Sequence, residues 1–255
     1  MATKKAASKK AETAHAKDTS ERVHQRDKLK HKLNLRPLKW TEKQKAFIDL
    51  SLEKKTKIVF VDGPAGTGKS LIATYCALEL LSEKKVSDIV YIRSAVESSD
   101  NKLGFLPGDA NQKLHFYNLP FLDKLDELLE PSSLKRIEKE ERISMYPVNY
   151  SRGMSWNAKC VIFDEVQNSS FKEIMTVLTR LGKFSKCFVL ADPMQTDLQS
   201  NKTGGFSSLY KVFQDQESLD NGVHTCKFEE EDIMRSDLVR FLVKKFKRAK
   251  ENENR

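Results

Sequence analysis

The residues with the clearest chemical potential are Gly63-Pro64-Ala65-Gly66-Thr67-Gly68-Lys69-Ser70. They follow an apolar, β-branched run, Ile58 to Val61, and precede a helix-period pattern that opens at Leu71. This is G-x-x-x-x-G-K-[ST] in the strand–loop–helix setting that the pattern requires. Its glycines let the main chain turn so that N–H groups converge on phosphate oxygens, and the positive end of the next helix adds to them. In such a cradle the Lys69 ammonium reaches the β- and γ-phosphates, and the Ser70 hydroxyl holds Mg²⁺. The plain alternative is a glycine-rich turn that binds nothing.

Two further stretches belong beside a phosphate cradle. Cys160-Val161-Ile162-Phe163 is a buried-strand run that ends on Asp164-Glu165. Next to a P-loop, Asp164 would hold the Mg²⁺ shell and Glu165 would polarise an attacking water. Away from one, the same run is a strand followed by solvated acids. Lys186 to Ala191 is a second such strand, followed by Asp192-Pro193-Met194-Gln195. The neutral amide of Gln195 is then placed to sense a γ-phosphate and position water. Further upstream, Gln44 could read the donor–acceptor edge of an adenine. It also stands three residues after Thr41, where it would complete a capping box.

These residues need a framework, and the hydrophobic pattern supplies one. Helices are predicted near Glu42 to Leu50, from Leu71 to about Leu81, over Leu114 to Leu129, Leu134 to Glu141, Phe171 to Leu181, Ser207 to Phe213 and Ile233 to Arg248. Strands are predicted at Ile58–Val61, Ile89–Ile92, Cys160–Phe163, Lys186–Ala191 and Val223–Phe228, with Arg142 to Tyr150 short and partly extended. Alternation of this kind predicts an α/β fold with a mostly parallel sheet and helices on both faces, and one P-loop with one acidic strand end gives a single RecA-like P-loop domain. Val96 to Asp109 reads as a loop, and such loops at strand carboxyl ends are where α/β proteins keep ligands.

The chain of 255 residues carries a net charge of +9. Residues 1–39 hold twelve Lys/Arg against four Asp/Glu, so eight of those nine charges lie there. Residues 1–32 therefore read as a flexible basic arm, 33–248 as the folded domain and 249–255 as a polar tail. The arm suits a nucleic acid or another polyanion, or serves only as a solubilising leader. No apolar run approaches the length of a membrane span, so no membrane partner is expected. The N-terminus has no apolar segment of the secretory kind. Cys76, Cys160, Cys187 and Cys226 form no C-x-x-C pair, which suggests a reduced, cytoplasmic setting.

With these motifs collected, the chain resembles the PhoH family, P-loop ATPases akin to the first motor domain of superfamily 1 helicases. The resemblance runs from about Leu38 to Phe246. It rests on the P-loop together with Lys102-Leu103-Gly104-Phe105-Leu106-Pro107-Gly108, Tyr150-Ser151-Arg152-Gly153, Asp164-Glu165-Val166-Gln167-Asn168, Leu178-Thr179-Arg180 and Asp232-Ile233-Met234-Arg235. It implies ATP and Mg²⁺ as ligands, with phosphates on Gly63 to Ser70, adenine on Gln44, and Asp164 and Glu165 as the metal and water pair. Gln195 matches a helicase glutamine, and Arg235 resembles an arginine that touches the γ-phosphate from the same chain. The family is thought of as hexameric, so a neighbour could supply a second arginine, and Arg152 and Arg180 are candidates; a surface ion pair is the alternative for each. Three positions depart from the family's pattern: Ser94 stands where proline is usual, Val166 where alanine is usual, and Ala191 where glycine is usual. The compact form, with no appended nuclease or KH domain, looks like versions carried by phages, which implies a host cytoplasm.

Three functions stay open on the sequence. One is an oligomeric ATPase coupled to single-stranded RNA or DNA, with Phe105, Phe116 and Tyr117 as possible base-stacking rings or as local packing. A second is a nucleotide-dependent scaffold without motor activity. The third is a small-molecule kinase, against which Gln167 and Gln195 argue for water as the acceptor.

Overall fold

The computed structural model describes residues 29–94, 110–196 and 204–253. Six strands form one sheet: β1 (Ile58–Asp62), β2 (Asp88–Arg93), β3 (Ile143–Pro147), β4 (Lys159–Asp164), β5 (Lys186–Ala191) and β6 (Val223–Lys227). Their order is β3-β2-β4-β5-β1-β6, and every neighbouring pair is parallel. The expected mostly parallel sheet is thus parallel throughout. A sheet of this kind is covered on both faces, which is why its central strands read as unbroken apolar runs.

The covering helices are α1 (Glu42–Leu52), α2 (Lys69–Ser82), α3 (Ala110–Leu128), α4 (Pro131–Lys139), α5 (Phe171–Leu178), α6 (Gly205–Val212), α7 (Gln216–Asp220) and α8 (Asp237–Glu253). Strand alternation sorts the core into two layers. Val59, Val61, Ile89, Tyr91, Cys160, Ile162, Phe188 and Leu190 face α1 to α4. Phe60, Val90, Ile92, Val161, Phe163, Cys187 and Val189 face α5 and α6. Burial pushes the Cys76, Cys160 and Cys187 thiols well above their ordinary range, as expected of small core residues.

Several boundaries differ from expectation. Leu29 and Leu33 are buried in the first core layer, Leu33 N donates to Ser82 Oγ, and Leu35 bridges to Leu129. The segment assigned to the arm up to residue 32 is therefore anchored from Leu29 by apolar burial that a charge-based reading overlooks. Helix α5 stops at Leu178, because Trp156 pairs with Leu181 and its N–H donates to Arg180 O. Ile233 is fully buried in extended backbone, so α8 opens at Asp237 rather than at Ile233, and it runs to Glu253 through most of the expected tail. Helix α7 carries too few apolar residues to be legible. Phe116 and Tyr117 fall in α3, whereas Phe105 and the loop around it lie outside the described residues.

Gly205 opens α6, two residues before the predicted start at Ser207. A Cβ there would stand 2.5 Å from both the N and Cα of Phe171, so the N-termini of α5 and α6 approach too closely for any side chain. Gly205→Ala is expected to cost about 2 kcal/mol by overpacking. At this chain length that lowers the melting temperature by about 4–8 °C, which thermal denaturation would read.

Candidate active site

Loop 63–68 leaves β1 at its carboxyl end and enters α2 at Lys69. Gly66 and Gly68 have φ of +84° and +83°, a left-handed backbone that L side chains adopt at a cost. The loop is held from two sides. Thr67 is buried; its Oγ1 donates to Pro64 O, and its carbonyl accepts from Gln44 Nε2 at 3.1 Å. On the other side, Met234 N donates to Gly66 O, and Ile233, Arg235 and Val239 crowd the space beside Gly66. The chain leading into α8 is therefore a strap across the loop.

Gln44 also closes the capping box of α1: its Oε1 accepts from Thr41 N and its N–H donates to Thr41 Oγ1. One amide thus fixes the start of a helix and the floor of the cradle. It is buried and lies outside the phosphate cavity described below.

The strand order brings the acids to the cradle. β1 and β4 flank β5, and their carboxyl ends converge. Ser70 Oγ donates to Asp164 Oδ1 at 3.1 Å, joining residues 94 positions apart. Asp164 is nearly buried, and its Oδ2 accepts from Tyr91 OH at 3.1 Å. Glu165 sits just beyond β4 in left-handed backbone, φ 57° and ψ 37°, uncommon for a non-glycine residue and a form of local strain met at functional sites. Its Oε2 accepts from Gln167 Nε2 at 2.7 Å. Gln167 is buried and spans the gap to the next strand: its Oε1 accepts from Asp192 N, and its Nε2 also donates to Gln195 O.

These groups line a cavity of about 330 Å³ with Lys69, Gln195, Arg235 and Lys124. Lys69 Nζ donates to Gly63 O at 2.6 Å and Pro64 O at 2.9 Å. Burial lowers its pKa, and the carboxylates of Asp192, Asp164, Glu165 and Asp62 oppose that shift. Lys124 of α3 was not singled out by the sequence, since a lysine on an amphipathic helix has no distinguishing signal. A second cavity, about 320 Å³, lies on the other side of Ala65. Phe228, Val243, Phe246 and Met194 wall it, and the carboxyl of Asp62 at its edge is raised by burial. Gly66, Gly68, Lys69 and Ser70 line the first cavity, Gly63 and Pro64 the second, and Ala65 both.

The donor set suits Mg²⁺. Ser70 and Asp164 present hard oxygens side by side, and among the described residues no cluster of three or more His, Cys, Asp or Glu could cage a metal alone. That is the arrangement for an ion completed by phosphates and water rather than by protein.

Arg152 and Arg180 do not line the cavity. Arg152 is exposed just past a short 3₁₀ turn, Val148–Ser151, and Arg180 Nη2 donates to Thr179 Oγ1. Of the three departures from the usual family pattern, the structure gives a local reason for Ser94 alone. Ser94 supplies an N–H to Asp164 O that proline would lack, and Val166 and Ala191 are buried in the second core layer.

Fold and cradle together define a P-loop α/β protein. Residues 38–247 match the model of the PhoH-like protein family, and the chain belongs to that family. It is 35% identical over 196 residues to a PhoH-like protein of Synechocystis sp., covering 77% of this chain and 58% of the relative. It is 33% identical over 211 residues to a PhoH-like protein of Mycobacterium tuberculosis, covering 83% and 58%. Protein PhoH of Escherichia coli is 33% identical over 190 residues, covering 74% and 52%. The chain thus spans a little over half the length of these relatives. Among solved structures, a Pif1 helicase from Candida albicans aligns with a TM-score of 0.36 at 15% identity, covering 76% of this chain and 41% of the other. No helix among the described residues is long and apolar enough to cross a membrane.

Proposed function

We propose that this protein binds ATP with Mg²⁺ and hydrolyses it, and that an oligomer couples this turnover to single-stranded RNA or DNA. The observation that carries the ATPase reading is the 3.1 Å contact between Ser70 Oγ and Asp164 Oδ1, with Glu165 held next to it by Gln167. Ser70 and Asp164 would hold Mg²⁺, whose bound form neutralises phosphate charge. Lys69 and the loop N–H groups bind the β- and γ-phosphates, Glu165 orients and polarises a water, and Gln195 and Arg235, which also line the cavity, reach the γ-phosphate. The base is assigned to Gln44, which keeps one N–H and one carbonyl lone pair beyond the two bonds it makes within the protein.

Nucleic-acid coupling is supported by family membership and by the basic residues of positions 1–39. Self-association is supported by α8, where Leu238, Phe241 and Phe246 are each more than half exposed. In a hexamer of this kind Arg152 or Arg180 would act on a neighbour's phosphates. The test is phosphate release with no added acceptor, measured against protein concentration with and without poly(U). Turnover that rises with concentration and with poly(U) is expected. Flat, unstimulated turnover would favour a nucleotide-dependent scaffold, and no release without a metabolite acceptor would favour a kinase.

A further inference from the structure

Asp164 is held more tightly than the cradle alone requires, and the extra contacts come from β2. In the parallel register Tyr91 lies opposite Ile162 and Arg93 opposite Asp164. Tyr91 and Asp164 share the face covered by α2, two residues apart along the strand direction, about 7 Å. A long phenol reaches that far and a leucine or valine would not. Its O–H donates to Asp164 Oδ2 at 3.1 Å, and Ser94 N–H donates to the main-chain oxygen of the same aspartate at 3.1 Å. Oδ1 accepts from Ser70 Oγ and from Glu165 N. Each carboxylate oxygen thus has its own donors, and the χ2 rotation that would exchange them is blocked.

The phenol is itself fixed. Phe121 of α3 lies flat on Tyr91, ring centroids 4.2 Å apart and planes 9° apart, and both rings are buried. Pairs of this kind stabilise one another beyond burial alone. The tyrosine could have been a core residue and nothing more, but then its hydroxyl would not end on the one carboxylate that faces Ser70.

We propose that Tyr91, backed by the Phe121 ring, is a positioning residue that orients Asp164 for Mg²⁺: with Oδ2 on the phenol, Oδ1 is left beside Ser70, where the two would hold the ion. The proposal rests on the ATP-and-Mg²⁺ reading above. Partners of metal ligands commonly change metal affinity by 10-fold or more when removed. Tyr91 therefore controls how much Mg²⁺ the nucleotide complex needs, not how tightly the loop holds phosphate.

Equilibrium binding of a fluorescent ATP analogue, titrated with Mg²⁺ and repeated in EDTA, tests this without reference to turnover. Tyr91→Phe keeps the stacked ring and loses only the O–H. Its half-saturating Mg²⁺ concentration is expected to rise about 10-fold, with affinity in EDTA unchanged. In an Asp164→Ala background the same substitution is expected to produce no further shift, because the phenol then has no carboxylate to orient. Phe121→Leu, which keeps the phenol but frees it, should give a smaller shift of about 2- to 3-fold in the same direction. An unshifted Mg²⁺ requirement in Tyr91→Phe, or an equal loss in Mg²⁺ and in EDTA, would overturn the proposal. A full shift persisting without the Asp164 carboxylate would overturn it too. Wild-type protein that binds no nucleotide under either condition would instead sink the ATP reading, and this inference with it.

Discussion

Lys69→Ala is expected to reduce affinity for a triphosphate by at least 100-fold while leaving the fold intact. The ammonium is the only side-chain cation in the run Gly63 to Ser70, and in the structure it turns back onto Gly63 O and Pro64 O. Those carbonyls show where the loop's own negative partial charge lies, and the ammonium is the group that swings from them to phosphate. Two charge-assisted hydrogen bonds at about 1.5 kcal/mol or more each come to about 3 kcal/mol, or two decades of binding. Alanine is favourable at the first turn of α2, and the loop keeps its Thr67 and Gln44 supports, so the melting temperature should change little. The pH dependence carries a second signature. Burial depresses the Lys69 pKa, and only the protonated form binds phosphate well. Wild-type affinity should therefore fall as pH rises through that lowered pKa, sooner than for an ordinary lysine. Lys69→Ala should be flat over the same range. Fluorescent-nucleotide titrations at several pH values would check both, and a variant that still binds at wild-type strength would remove the cradle as the ligand site.

Much of this site was legible because its parts are local. A P-loop is a contiguous run, and a capping box spans four residues, so Thr41 and Gln44 could be paired from sequence. The strands were legible because burial on both faces leaves β4 and β5 almost without polar residues. The roles that eluded sequence reasoning act across the sheet. Tyr91 inside an apolar strand looks like packing until the register sets it one pleat from Asp164. Gln167 matters because β4 and β5 are neighbours, so that one buried amide reaches both Glu165 and Asp192. Ile233 was read as the start of a helix from its spacing. Its burial against the P-loop instead keeps residues 233–236 out of the helix as a strap, and the periodicity of α8 masked that change. The order β3-β2-β4-β5-β1-β6 itself leaves no trace in local pattern, since it depends on which apolar runs pair.

Glu165→Gln is expected to retain nucleotide and stop hydrolysis, which separates the acid's role from that of the cradle. Glu165 makes none of the contacts that shape the loop. Its carboxylate accepts from Gln167 Nε2 and stands in the cavity with Ser70, Asp164 and Gln195. A glutamine has the same length, and its carbonyl can still accept that bond. Position 165 needs a left-handed backbone whichever side chain it carries, so the substitution adds little strain. What disappears is a base able to draw a proton from water as it attacks. Such groups contribute about 10²- to 10⁴-fold to a rate, or about 3–5 kcal/mol of barrier. The phosphate-release rate should fall by that factor while the dissociation constant for ATP stays within about threefold of wild type, a difference worth less than about 0.7 kcal/mol. Gln167→Leu offers an independent check on the same geometry. It removes the amide that holds Glu165 and ties it to Asp192, so turnover should fall while the acid remains. Normal turnover in Glu165→Gln would assign the water to another group, and Asp192 and Gln195 also line the cavity.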